Sequence, residues 1–218
     1  MRTYLILLTS ILYLSACSKD RLRGEGPTVT ESRSINASEL QTVRVNGSTK
    51  LHISYGTVPE LKVKGYGNLV AALSTTLKNG VLTVEFENHY NVRNDNTEVF
   101  LILPKSPNIY LNGSADAFIS GNFEPVNHIF FKINGSANIN AGAFVAESLD
   151  VNISGSGNVN LVNIDASDAN VSISGSGEVK TKVSDKLLVA ISGSGRVLYL
   201  GNPEVQSNIS GSGKVQKI

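Results

Sequence analysis

The chain has 218 residues, 19 Lys and Arg against 18 Asp and Glu, a net charge of +1 at pH 7, one Cys, no Trp and 6% aromatic residues. Near-neutrality removes the electrostatic basis for a nucleic-acid partner, and a lone cysteine excludes an internal disulfide. With so few aromatics the core must be built from Val, Ile and Leu, a composition that suits strands.

Residues 1–16 read as an export signal: Arg2 supplies the positive end, and Tyr4 to Leu14 is an apolar run broken only by Thr9 and Ser10. That run is too short to span a bilayer. Leu14-Ser15-Ala16-Cys17 resembles the processing site of bacterial lipoproteins, where small residues precede the cut and the cysteine thiol is acylated. Cys17 is therefore expected to carry the lipid anchor, and acyl chains at roughly 0.8 kcal/mol per buried methylene hold durably once there are several. Ser18 after the anchor is compatible with sorting to the outer membrane. Residues 17–30 are polar, contain Gly24, Gly26 and Pro27, and read as a tether.

From residue 31 to 218 the pattern is that of a single β domain. Val43 and Val45, Leu51 and Ile53, and Leu61 and Val63 alternate with polar residues. Residues 69–75 allow a short helical turn but bring no caps. Asn79-Gly80 between alternating segments over 77–86 predicts a two-residue hairpin, and Val99 to Leu103, closed by Pro104, predicts a fully buried strand.

The dipeptide Gly-Ser then sets the architecture. It begins at Gly47, Gly113, Gly135, Gly155, Gly175, Gly193 and Gly211, so that from Gly113 onward the intervals are 22, 20, 20, 18 and 18 residues. A period near twenty with the same turn once per unit predicts an all-β, single-stranded β-helix or solenoid with coils of 18–22 residues, preceded by a less regular N-terminal part with the hairpin. An antiparallel sandwich also has short, evenly spaced strands, but it alternates two kinds of corner. Asn46, Asn112 and Asn134 precede the first three copies, and Thr49, Ala115 and Ala137 follow them. The last four are preceded by Ser154, Ser174, Ser192 and Ser210 and followed by Gly157, Gly177, Gly195 and Gly213.

Like flanks in blocks are what stacked coils produce, with Asn amides or Ser hydroxyls bonding along the stack. The first glycine of each copy is expected to need a positive φ or a close backbone approach. The second can be alanine, so it does not strictly require a positive φ. The shared Asn also places the Gly47 copy beside the Gly113 copy, either across two rungs without the motif or across an insertion.

Sites of chemistry are scarce. ISGSG lacks the spacing of the GxSxG nucleophile elbow, and the copies lack the third glycine of a dinucleotide fingerprint. The position that would hold aspartate in a calcium-binding repeat is Asn158, Glu178, Arg196 or Lys214. Asn94-Asp95-Asn96 with Glu98 offers oxygen ligands without the remainder of a calcium loop. His52, His89 and His128 have no ligand spacing. Asp165, Asp168, Glu178 and Asp185 are the candidates for a catalytic carboxylate pair between neighbouring rungs. No cofactor, metal or catalytic residue is expected, and the protein is read as not an enzyme.

With the lipoprotein site, the GSG turns, Val197-Leu198-Tyr199-Leu200-Gly201-Asn202-Pro203 and the opening segments Val29 to Asn36, Val43 to Gly47 and Gly80 to Val84, the chain resembles the bacterial family described as "putative auto-transporter adhesin, head GIN domain" over about residues 28–218. The resemblance implies a β-helical, lipid-anchored envelope protein, and names no ligand or binding residue. The expected function is an adhesin or a glycan- or surface-binding module. The alternative is a self-assembling structural protein that associates through its C-terminal rung, since no capping element follows Gly211, with Lys214 and Lys217 opposing that pairing. A polysaccharide-active enzyme using Asp165 or Asp168 is a third reading.

Overall fold

Alternation of apolar and polar residues becomes strand almost everywhere in the computed structural model, which describes residues 21–86 and 91–218. The signal segment 1–16 and Cys17 lie outside the described residues. The chain is 71% strand and 3% helix, coiled as a β-solenoid of about five turns.

Each coil contributes one strand before its Gly-Ser corner and one after it. Before the corner stand β3 (Thr42–Gly47), β10 (Asn108–Gly113), β12 (Val126–Gly135), β14 (Phe144–Gly155), the later part of β15 (Asn158–Gly175), the later part of β16 (Glu178–Gly193) and β18 (Glu204–Gly211). They pair in parallel and in register, and together they form the first face. The second face follows the corner: β4 (Lys50–Tyr55), β11 (Asp116–Ser120), β13 (Asn138–Ala141), the openings of β15 and β16, then β17 (Arg196–Gly201) and β19 (Lys214–Lys217). A short third face closes the coil, with Ala146 beside Ala166 and Ala166 beside Val183. Register breaks between Leu161 and Asp165 and between Ala166 and Asp168 fall where the coil shortens.

Alternate residues point inward, and equivalent ones stack into columns. Val45, Leu111, Ile133, Ile153, Ile173 and Ile191 form one column, each buried by the rung above. At the last rung Ile209 is 37% exposed, against 2% for Ile191 one rung earlier.

Gly47 and Gly113 are in register, as are Asn46 and Asn112, so the two copies are direct neighbours. The intervening residues fold back against the opposite side of the first rung: β7 (Val81–Phe86) pairs in parallel with β3, and β9 (Glu98–Leu103) with β4. Of the two expectations the insertion is correct, and it supplies one rung without the motif, below the first. β5 (Glu60–Tyr66) runs antiparallel to β9, and β6 (Leu73–Lys78) antiparallel to β7 through the predicted hairpin turn, where Asn79 has φ 49 and Gly80 φ 78. The expected helical turn is α1 (Gly67–Ala72), which lies against this end and buries Leu69 and Val70. Arg33, its side chain 16% exposed, donates from Nη1 to the Leu73 carbonyl at 2.6 Å and from Nη2 to the Val70 carbonyl at 2.8 Å. It thereby serves as the cap the sequence of α1 lacks.

Two expectations change. Val99, Leu101 and Leu103 are buried, but Phe100 and Ile102 face outward and are only half-buried. β9 has a rung on one side and β5 on the other, and it covers the core with one surface only. The tether does not run free to Thr30: β1 (Arg21–Arg23) pairs with β8 (Asn91–Arg93), and β2 (Thr28–Arg33) with β5. Gly24 is a point of close approach rather than a flexible link. Its N–H donates to the Arg93 carbonyl at 2.9 Å, and a Cβ there would collide with Leu69.

Candidate binding face

The seven corner glycines form one column, with φ between 114 and 130°. Inside the column a Cβ on Gly175 would press into the Gly155 carbonyl oxygen. The next residue keeps the ladder through the bend: Ser176 N–H donates to the Gly155 carbonyl and Ser194 N–H to that of Gly175, both at 2.9 Å. Gly157, Gly177, Gly195 and Gly213 lack a positive φ, as expected, yet they are crowded. A Cβ on Gly177 would lie 2.9 Å from Ile153 Cγ2 and 2.7 Å from the Gly157 carbonyl oxygen. Glycine stands here wherever the preceding rung carries Ile at the start of its motif, whereas Ala115 and Ala137 follow rungs carrying Val45 and Leu111.

The expected asparagine ladder is present. Asn112 Nδ2 donates to Asn46 Oδ1 at 2.8 Å, and Asn134 Nδ2 to Asn112 Oδ1 at 3.1 Å. The serine ladder is not: among the described residues no hydrogen bond joins Ser154, Ser174, Ser192 and Ser210. A rung spacing of about 4.8 Å is within reach of an amide but not of two hydroxyls.

Two of the four candidate carboxylates are held by cations. Asp165, on the third face, meets Lys182 Nζ at 2.6 Å. Asp168 lies on the first face in register with Lys186. Glu178 lies on the second face, 2.7 Å from Arg196 and 3.5 Å from Lys180. Asp185 immediately precedes Lys186, the register partner of Asp168 on the adjacent rung. Asp95 serves its own loop, accepting from Ser48 Oγ at 2.7 Å and Thr97 N–H at 2.9 Å. Asn96 Oδ1 accepts from Tyr66 N–H at 2.8 Å, and Asn94 Nδ2 donates to the Gly24 carbonyl at 2.8 Å. These side chains hold the insertion together. Among the described residues no three His, Cys, Asp or Glu side chains gather as a metal site. His128 meets Asp150 at 2.8 Å on the exposed first face, and His89 lies outside the described residues.

The second face holds what sequence reasoning missed. Its central outward column runs Phe100, His52, Phe118, Asn140, Asn160 and Lys180, one residue per rung. The His52 ring stacks on Phe100 at 4.7 Å and on Phe118 at 5.2 Å, so Phe118 ends an aromatic stack and stays 38% exposed. Beside it a second column of polar groups is wired along the axis. Asn138 Nδ2 donates to Asp116 Oδ1 at 2.8 Å, and Asn158 Nδ2 to Asn138 Oδ1 at 2.9 Å. Phe118, Asn138, Asn140, Asn158 and Asn160 line one shallow depression together with Asp116, Glu178 and Lys180, and the buried Asn160 Oδ1 has no partner. On the first face, by contrast, Arg44 and Lys132 both sit 5.0 Å from the Tyr110 ring centroid and occupy it.

Stacked parallel rungs and an unbroken column of glycine corners define a β-solenoid. The chain belongs to the family described as "Putative auto-transporter adhesin, head GIN domain", whose model matches residues 39–203. Among solved structures it is similar to a "putative adhesin" from Bacteroides fragilis, with a TM-score of 0.75 and 18% identity over 90% of this chain and 100% of that one. It is also similar to a "putative lipid binding protein" from Parabacteroides distasonis, with a TM-score of 0.63 and 22% identity over 91% of this chain and 100% of that one. A "putative adhesin" from the same species aligns with a TM-score of 0.54 and 19% identity over 91% of this chain and 100% of that one. At these identities the likeness shows the fold. No curated protein matches the chain significantly in sequence.

Proposed function

We propose that the protein is a non-enzymatic, lipid-anchored adhesin of the bacterial cell envelope, held at the outer membrane through Cys17 and binding its target with the outer surface of the solenoid. The observation that carries this reading is the second face. It is a regular surface with an exposed ring and a field of amides, on a fold whose family, like the similar structure from Bacteroides fragilis and one of the two from Parabacteroides distasonis, is named for adhesion. Against the polysaccharide-active reading, Asp165 is paired with Lys182 and Glu178 with Arg196, so two of its four candidate carboxylates are engaged by cations.

Two measurements test it. Cells producing the full chain should retain it in the membrane fraction, and Cys17→Ala should release it. Cells displaying the full chain should adhere to at least one of a panel of immobilised proteins and polysaccharides, where cells without it do not. Adhesion to none contradicts the reading.

A second reading, self-association, is favoured by the exposure of Ile209 on β18, the last described strand of the first face. Sedimentation of the full chain in detergent should then show oligomers that Ile209→Lys removes. A monomer at high concentration contradicts it.

A further inference from the structure

We infer that the depression beside Phe118 is a subsite for an uncharged pyranose of a polysaccharide, with the sugar seated on the free face of the Phe118 ring and its hydroxyls on the amides of Asn138, Asn140 and Asn160. This rests on the adhesin reading and names its ligand.

The aromatic stack supplies the apolar half. Phe100 and His52 have ring neighbours in the column, at 4.7 and 5.2 Å. Phe118 has His52 on one side only, and its neighbour on the other side is Asn140. Asn140 is shorter than a phenyl ring, so the outer part of Phe118 overhangs it. A pyranose presents a face of C–H groups with partial positive charge, which complements the negative face of an aromatic ring.

The amides supply the polar half and the selection for an uncharged ligand. The charged groups that line the depression are engaged with one another or with the amides: Asp116 accepts from Asn138 at 2.8 Å, and Glu178 is paired with Arg196 at 2.7 Å and with Lys180 at 3.5 Å. What remains is amides, each able to donate and to accept, as a sugar hydroxyl is. Asn160 is half-buried beside the depression, and its Oδ1 has no partner within the protein. Asn140 and Asn160 are in register on adjacent rungs, so an axially laid polymer meets the same amide about every 4.8 Å.

Affinity electrophoresis of the full chain in detergent, through gels holding mannan, laminarin or hydroxyethylcellulose, tests the subsite, with alginate as the acidic polymer. Retardation by at least one neutral polymer is expected, and Phe118→Ala should weaken it roughly tenfold. Asn140→Phe should also abolish it. That change extends the stack over the free ring face, so the variant should keep its urea midpoint, which separates loss of the site from loss of the fold. Retardation unchanged in both variants, or by alginate alone, overturns the proposal. Gels without retardation, from cells that still adhere to an immobilised protein, overturn the sugar subsite and leave the adhesin reading standing. Failure to adhere to any surface overturns the adhesin reading itself.

Discussion

The side chain of Asn112 donates to that of Asn46 at 2.8 Å, although 66 residues separate them in the chain. Between the two, the polypeptide builds an entire rung on the far side of β3 and returns. Asn46 Nδ2 in turn donates to Glu85 Oε2 at 2.7 Å on that rung, so a line of polar side chains stitches three rungs in an order that is not the chain order.

Replacing Asn112 by Ala leaves Asn46 Oδ1 without its donor, while Asn134 Nδ2 keeps the Tyr110 hydroxyl at 2.8 Å, and should cost about 1–2 kcal/mol. Ser192→Ala should stay within about 0.5 kcal/mol, because its exposed hydroxyl bonds nothing in its column. Urea unfolding of the two variants checks the difference, and equal midpoints would contradict the ladder.

The two glycines of a corner should respond differently. Gly175→Ala combines a strained φ of 128° with a backbone collision and should cost about 3 kcal/mol or more. Gly177→Ala has ordinary φ but meets both the Gly157 carbonyl oxygen and Ile153 Cγ2, an overpacking of about 1–3 kcal/mol. Ile153→Leu, which removes that methyl as Leu111 does before Ala137, should make Gly177→Ala less costly. A double-mutant cycle reads the coupling, and additive effects would refute the contact.

Arg33→Ala should destabilise the insertion end by about 2–3 kcal/mol, since the Val70 and Leu73 carbonyls lose a charged donor. Arg33→Lys should not restore it, because one ammonium cannot reproduce the guanidinium fork. Hydrogen exchange should accelerate over residues 67–78 and remain slow in the later coils. Uniform acceleration would show that the two ends unfold together.

The coil length, the conformational demand on Gly175 against Gly177, the Asn79-Gly80 hairpin and the adjacency of Asn46 and Asn112 were all legible in the sequence. Each follows from a local conformational rule or from comparing one repeat with the next. The aromatic stack was not, because Phe100, His52 and Phe118 come from the insertion, the first rung and the second. Only the placement of β9 and β11 on opposite sides of β4 brings the three rings together. The free face of Phe118 depends on Asn140 being the next residue in the column, a relation of register with no local signal. Arg33 was equally silent, since its partners are carbonyl oxygens, which carry no side-chain signature. The serine column misled by analogy with asparagine, whose longer side chain spans a rung where a hydroxyl does not.

The central claim is that the Gly-Ser corners shape the molecule through their backbone and that recognition belongs to the outer faces. It is tested most directly by replacing Ser156, Ser176 and Ser194 together by Ala in the full chain and measuring adhesion of the cells that display it. All three hydroxyls are exposed, and it is the backbone N–H of each that carries the ladder. Adhesion and urea midpoint should both match those of the unaltered protein. Loss of adhesion at an unchanged midpoint would make the corners themselves the binding site and contradict the account.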